Sequence, residues 1–205
     1  AMWMSETDQP GAHRVMAEVE SIMAEGGVAA WVPAEVYTFR SIMWIYARKP
    51  ANTMADLQLA LEAARESHNW WAGVSASWRL SHTLISLRRD RDALDQLVSC
   101  LAMLEGHDDV LGVILALHAS AIALIGVERQ TDAARLFASV DRLGALYGFP
   151  RSAVNDEDHE RHRDRAKQAL TTTEWNTAYR EGATFSLDEA VAHVRRIARS
   201  LPPRR

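Results

Sequence analysis

The chain has 205 residues, is 48% apolar and 24% charged, and carries a formal net charge of −4. That composition and length describe an ordinary globular protein with enough apolar residues for a core, and exclude disordered and small disulfide-stapled classes. The acidic balance speaks against a nucleic-acid-coating protein, and the single cysteine, Cys100, excludes an internal disulfide framework and any CxxC zinc site.

The N-terminus reads Ala1-Met2-Trp3-Met4, with an alanine ahead of the methionine. Residues 1–12 are therefore expected to be a tag remnant and flexible lead-in, followed by one domain over 13–205. Helices are predicted at 13–25, 33–48, 53–68, 70–88, 91–105, 109–126, 130–147, 156–170, 172–182 and 186–200, from apolar residues recurring at three- and four-residue intervals. Thr53 with Asp56, Asn155 with Asp158, Thr171 with Glu174 and Ser186 with Glu189 have capping-box spacing. Pro33 fits a first helical position, and Asp108 is placed to cap the next apolar run. Gly26-Gly27, Pro50, Gly106, Gly148 and Gly182 mark the stops.

No segment alternates apolar and polar residues between turn signals, so the fold class is all-α. Short connections make neighbouring helices antiparallel. The pairs recur: Arg91-Asp92-Ala93-Leu94 and Thr131-Asp132-Ala133-Ala134 stand 40 residues apart, and His68 and His107 stand 39 apart. A period near 40 predicts stacked helix pairs, a TPR-like α-solenoid with C-terminal capping helices. Helix 109–126 is apolar on almost every side and should be buried. In 70–88, Trp71, Val74, Trp78 and Ile85 form one stripe, and Ser75, Arg79, His82 and Ser86 a polar one.

No run of about 18 apolar residues spans a bilayer and no signal peptide is read, so a cytoplasmic protein is expected. Neither lysine, Lys49 nor Lys167, follows a glycine, so there is no P-loop; GxSxG and GxGxxG are also missing. His159-Glu160-Arg161-His162 is one residue short of HExxH, and the charged run 156–165 reads as a solvated first turn. His107-Asp108, with His68 or His82 before it and Asp132 or Asp141 after it, is the one pattern that fits an HD-type metal phosphohydrolase. Asp108 is better explained as a helix cap after Gly106, which leaves the metal hydrolase as the least favoured alternative. No cofactor or metal is expected. Cys100, among Leu97, Val98 and Leu101, reads as a small core residue.

His118 is the one ionisable group past the first turn of its apolar helix. Inner helices of a solenoid line a groove, and tryptophan with arginine marks binding hot spots. Trp71, Trp78, Arg79, His82 and His118 are therefore the candidate groove residues for a protein partner or small effector. The arginines at 195, 196, 199, 204 and 205 complement the dipole at the end of the last helix, which Pro202-Pro203 terminates.

The segment Ala133-Ala134-Arg135-Leu136-Phe137-Ala138-Ser139-Val140-Asp141-Arg142-Leu143, followed by Gly148-Phe149-Pro150, resembles a helical-repeat signature of large bacterial ATP-binding transcriptional regulators. Trp175 to Gly182 and Phe185 to Val191 resemble their closing element. The resemblance is to the LuxR-type large ATP-binding class, the antibiotic-regulatory activators and MalT-like proteins, and is specific over about 130–200. Trp175, where phenylalanine is frequent, and the charged run at 156–165 depart from the common form. Arginine and alanine excess, with two lysines, fits a GC-rich bacterial gene. The resemblance implies a non-catalytic sensor or interaction domain, beside nucleotide-binding and DNA-binding domains of a parent chain, with no direct nucleic-acid contact of its own. An alternative is a structural module that homodimerises through an exposed end face.

Overall fold

A computed structural model describes residues 8–149 and 153–202, with the side chains of 9 and 153–158 left aside. Among the described residues the chain is all helical: α1 (Gln9–Glu25), α2 (Val32–Tyr46), α3 (Pro50–Glu66), α4 (Trp70–Ser86), α5 (Asp90–Met103), α6 (Val110–Gly126), α7 (Gln130–Leu146), α8 (Ala153–Gln168), α9 (Thr172–Gly182) and α10 (Leu187–Ser200). No described helix is long and apolar enough to cross a membrane. Two compact units divide between Thr83 and Leu84.

From α3 to α7 the helices keep a fixed register. They start at residues 50, 70, 90, 110 and 130, each 20 after the last. Four of the five have 17 residues, and α3, α4 and α6 are each followed by a three-residue turn; α5 has 14 and is followed by six. The three-residue turns share one construction. Arg48, His68, Arg88 and Glu128 each take a left-handed φ between 53° and 60°, as does Gly148 at 70°. The next residue's N–H then reaches back five residues: Lys49 to the Trp44 carbonyl, Asn69 to Ala64, Arg89 to Leu84, Arg129 to Leu124 and Phe149 to Gly144, each at 2.9 Å. This is the Schellman closure, which satisfies orphan carbonyls at a helix end. It offsets the cost, roughly 1 kcal/mol, of a non-glycine residue in the left-handed region.

A second alternation doubles the register to 40. α4 and α6 begin behind side-chain caps, Asn69 Oδ1 accepting from the Ala72 N–H and Asp109 Oδ1 from the Gly112 N–H. α3, α5 and α7 begin behind Lys49, Arg89 and Arg129, which make no side-chain cap. Instead Arg89 Nε donates to Asp92 and Arg129 Nε to Asp132, both at 2.7 Å. The repeat of Asp92 and Asp132 thus has a structural counterpart. The pair His68 and His107 does not: His68 holds a left-handed turn, whereas His107 follows Gly106 in the longer link.

Local signals explain most boundaries and three corrections. The capping boxes of Thr171 with Glu174 and Ser186 with Glu189 form as expected. Thr53 caps nothing: α3 starts three residues earlier with Pro50 at its first position, and the buried Thr53 hydroxyl bonds the Lys49 carbonyl. The cap of α6 is Asp109 rather than Asp108. α1 starts at Gln9, capped by Asp8 with Pro10 in its first turn, so helix reaches into the stretch read as lead-in, and Ala12 is buried. Asn155 with Asp158, Pro150, Pro203 and the arginines at 204 and 205 lie outside what is described.

In the first unit, Ala12 and Met16 of α1 pack on Val36 and Met43 of α2, and Ala34, Ala64 and Ala72 bring α2, α3 and α4 together through small side chains. Arg40 chelates Asp56 through Nε at 2.7 Å and Nη2 at 2.5 Å; Trp44 Nε1 donates to the same carboxylate at 2.8 Å. The Asp56 contact, with Glu20 beyond it, raises Arg40 above an ordinary guanidinium despite burial.

In the second unit, α5 packs on α6, α6 on α7, and α7 on α8 and α9, while α10 lies against α5, α6 and α7. Leu94, Leu97, Leu101, Leu117, Leu124, Leu136, Phe137 and Val194 fill the core, with Cys100 among them. The apolar α6 is buried from Ala119 to Ile125, as its sequence requires. Gly182 sits directly on the Arg135 backbone, and Ser139 Oγ lies 2.9 Å from the carbonyls of both Arg135 and Gly182.

Candidate functional site

α4 presents Trp71, Ser75, Trp78, Arg79 and His82 at helical spacing, none of them fully buried, while Ala72, Ala76, Ser77, Leu80 and Ser81 turn inward. Polar and aromatic residues therefore share the less buried side of an otherwise packed helix. The Trp78 and His82 rings are 4.4 Å apart between centroids, and the Arg79 guanidinium stands 5.9 Å from the Trp78 ring. Trp71 is 55% exposed and meets Trp70 edge-on at 5.9 Å. The expected single apolar stripe of Trp71, Val74, Trp78 and Ile85 is divided: Val74 is buried and Trp71 is not.

Arg79 has no carboxylate partner among the described residues. Its Nε and the Trp78 Nε1 are shielded from solvent without an acceptor. Burial lowers the Arg79 guanidinium below its ordinary value, and the nearby Tyr46 opposes that shift. Tyr46 is itself exposed at the end of α2, as are Phe39 and Ile45 on that helix. A cation seated on an indole, beside exposed aromatics and lacking an anion, is equipped to receive an acidic group carried on an apolar body.

His118 makes its ring contacts in the second unit. It stacks on His159 at 5.1 Å and 24°, and both meet the edge of Phe137. His159 Nε2 is 3.1 Å from Asp141, whose other oxygen accepts the Tyr179 hydroxyl. The reading of 156–165 as a solvated first turn is corrected here. α8 begins at Ala153, and His159 is only 2% exposed. Its burial is explained by Asp141 of α7, which meets His159 and Arg163 as polar partner, with buried Ala166 continuing the same side of α8. Spacing three to four apart was visible in the charged run; hydropathy concealed it.

The second polar knot joins α7 to α10. Asp132 is 3.1 Å from His193 Nε2, 2.7 Å from Arg129 Nε and 3.0 Å from Arg135 Nη1. Arg196 reaches His193 Nδ1 at 2.6 Å, and Arg135 continues to Glu181. Burial pushes the Asp132 carboxyl up, but the hydrogen bonds from His193 and Arg129 prevail and hold it at about 2.

Asp132 and Asp141 are thus each engaged in a separate junction, and His107 and Asp108 are exposed in the link before α6. Among the described residues no three His, Cys, Asp or Glu side chains are placed to hold a metal ion. Comparison with protein-family models, curated proteins and solved structures returns no match.

Proposed function

We propose that the chain is an interaction module built as a TPR-like α-solenoid, and that the α4 stripe receives a protein partner or small effector bearing a carboxylate and an apolar group. The carrying observation is Arg79, partly buried on Trp78 with no carboxylate partner among the described residues. The 40-residue alternation of turn chemistry supports the repeat reading, since stacked hairpins bury faces that one pair could not. The likeness of residues 130–200 to helical-repeat segments supports a place in a bacterial transcriptional regulator, next to ATPase and DNA-binding domains. There, a ligand that prefers one of two packings of the scaffold would bias its neighbours.

The test follows indole NMR signals of Trp71 and Trp78 while the chain is titrated with a panel of short acidic peptides containing aliphatic and aromatic residues. At least one peptide is expected to shift both signals and to bind about tenfold more weakly to the Arg79→Ala variant. Peptides that leave both indoles unmoved, or that bind Arg79→Ala and His82→Ala undiminished, would overturn the reading.

A further inference from the structure

The 20-residue register has one irregular link, and a hollow stands beside it. α5 is three residues shorter than its neighbours, and Leu104 to Asp109 replaces the usual three-residue turn. Where a locally consistent pattern is broken, a function for the break is a reasonable question. Together with α10 this link encloses a groove of about 570 Å³, within the roughly 300–1,000 Å³ range of small-molecule sites.

Its floor is apolar: Leu101, Leu104 and Val113, all buried, with Leu187 and Val191 as the facing wall. Three arginines of α10 line the same groove at 195, 196 and 199. Two are occupied. Arg195 pairs with Glu105, and Arg196 reaches the His193 ring. Arg199 is exposed and makes no hydrogen bond or ion pair among the described residues. Cations in a last helical turn complement the dipole, which accounts for their charge but not for an apolar hollow beneath them. The opposing carboxylate, Asp188, stands 11 residues earlier on α10, about 16 Å along its axis. Among the described residues the groove is therefore polarised, with the unpaired arginine at its C-terminal end.

We propose that this groove binds an amphiphilic organic monoanion, a medium-chain carboxylate in class, with its carboxylate on Arg199 and its chain over Leu101, Leu104 and Val113. A single free guanidinium matches one planar carboxylate through two parallel N–H···O bonds. Val191 to Arg199 covers eight residues, about 12 Å, which suits an extended acyl chain lying along α10. Arg199 takes no part in the α4 stripe, so this proposal and the preceding one stand or fall separately.

Calorimetric titration of the full chain with octanoate, octanol and acetate tests it. Octanoate is expected to bind at one site, with octanol and acetate each at least about tenfold weaker, because the first lacks the charge and the second the chain. Arg199→Ala should weaken octanoate about tenfold and lower the thermal midpoint by no more than a few degrees, since the side chain contributes only its charge at the helix end. The proposal is overturned if octanoate shows no binding up to about 10 mM. Equal binding of acetate, equal binding of octanol, or full retention of octanoate by Arg199→Ala would overturn it as well.

Discussion

Gly182→Ala is expected to destabilise the protein by about 3 kcal/mol or more, through overpacking at a backbone contact. A Cβ on Gly182 would stand closer than 3.0 Å to the carbonyl, carbonyl carbon and Cα of Arg135, a separation that real Cβ atoms essentially never show. Those atoms belong to the α7 backbone and cannot swing aside. α9 would have to lift, breaking the Ser139 bridge and the contact of Arg142 with the Phe185 carbonyl. Thermal unfolding should register a fall of about 6–12 °C for a chain of this size. Gly144→Ala is the control, because among the described residues a Cβ there meets nothing nearer than 3.8 Å and the site is helical. It should be neutral or stabilise by up to about 1 kcal/mol. Equal effects of the two substitutions would mean that α7 and α9 do not approach as described.

Asp132→Asn is expected to cost about 2–4 kcal/mol at neutral pH, because Arg129, Arg135 and His193 lose the buried charge they share and one of its two accepting oxygens becomes an N–H donor. The pH dependence has a definite sign. The carboxyl titrates at about 2 in the fold against 3.8 in an unfolded chain, so folding favours its ionised form. That contribution, on the order of 2 kcal/mol, is fully present above about pH 4 and disappears as pH falls toward 2. Denaturant unfolding of both proteins between pH 7 and pH 2 should therefore show a gap that is constant at high pH and closes in acid. A gap that is small at pH 7, or that persists unchanged at pH 2, would remove Asp132 from its place between α7 and α10.

These two sites also show what a sequence conveys and what it hides. The ten helices are legible because apolar periodicity and turn residues agree along the chain. Boundaries go astray where two start signals compete: Pro50 prevails over Thr53, and Asp109 over Asp108. Gly182 reads correctly as a helix end, but its closer duty, letting two backbones touch, depends on a partner 47 residues away and leaves no local trace. The buried imidazoles are harder still. His159 looks like a solvated residue of a charged helix, and becomes buried because Asp141 arrives from α7 to meet it. Periodicity places such residues on a face, yet hydropathy assigns that face to solvent. The α4 stripe was visible as a pattern, whereas the lack of a carboxylate beside Arg79 among the described residues is a fact of three dimensions. The groove beside α10 escapes sequence reading altogether, since its walls come from a link and a helix about 80 residues apart.

The repeat register is the claim on which the interaction-module reading depends, and backbone NMR assignment tests it most directly. Cα shifts should be helical over 50–66, 70–86, 90–103, 110–126 and 130–146, and should report left-handed conformations at Arg48, His68, Arg88 and Glu128. Helical shifts that run unbroken through those four residues, or left-handed signatures falling off the 20-residue spacing, would contradict it.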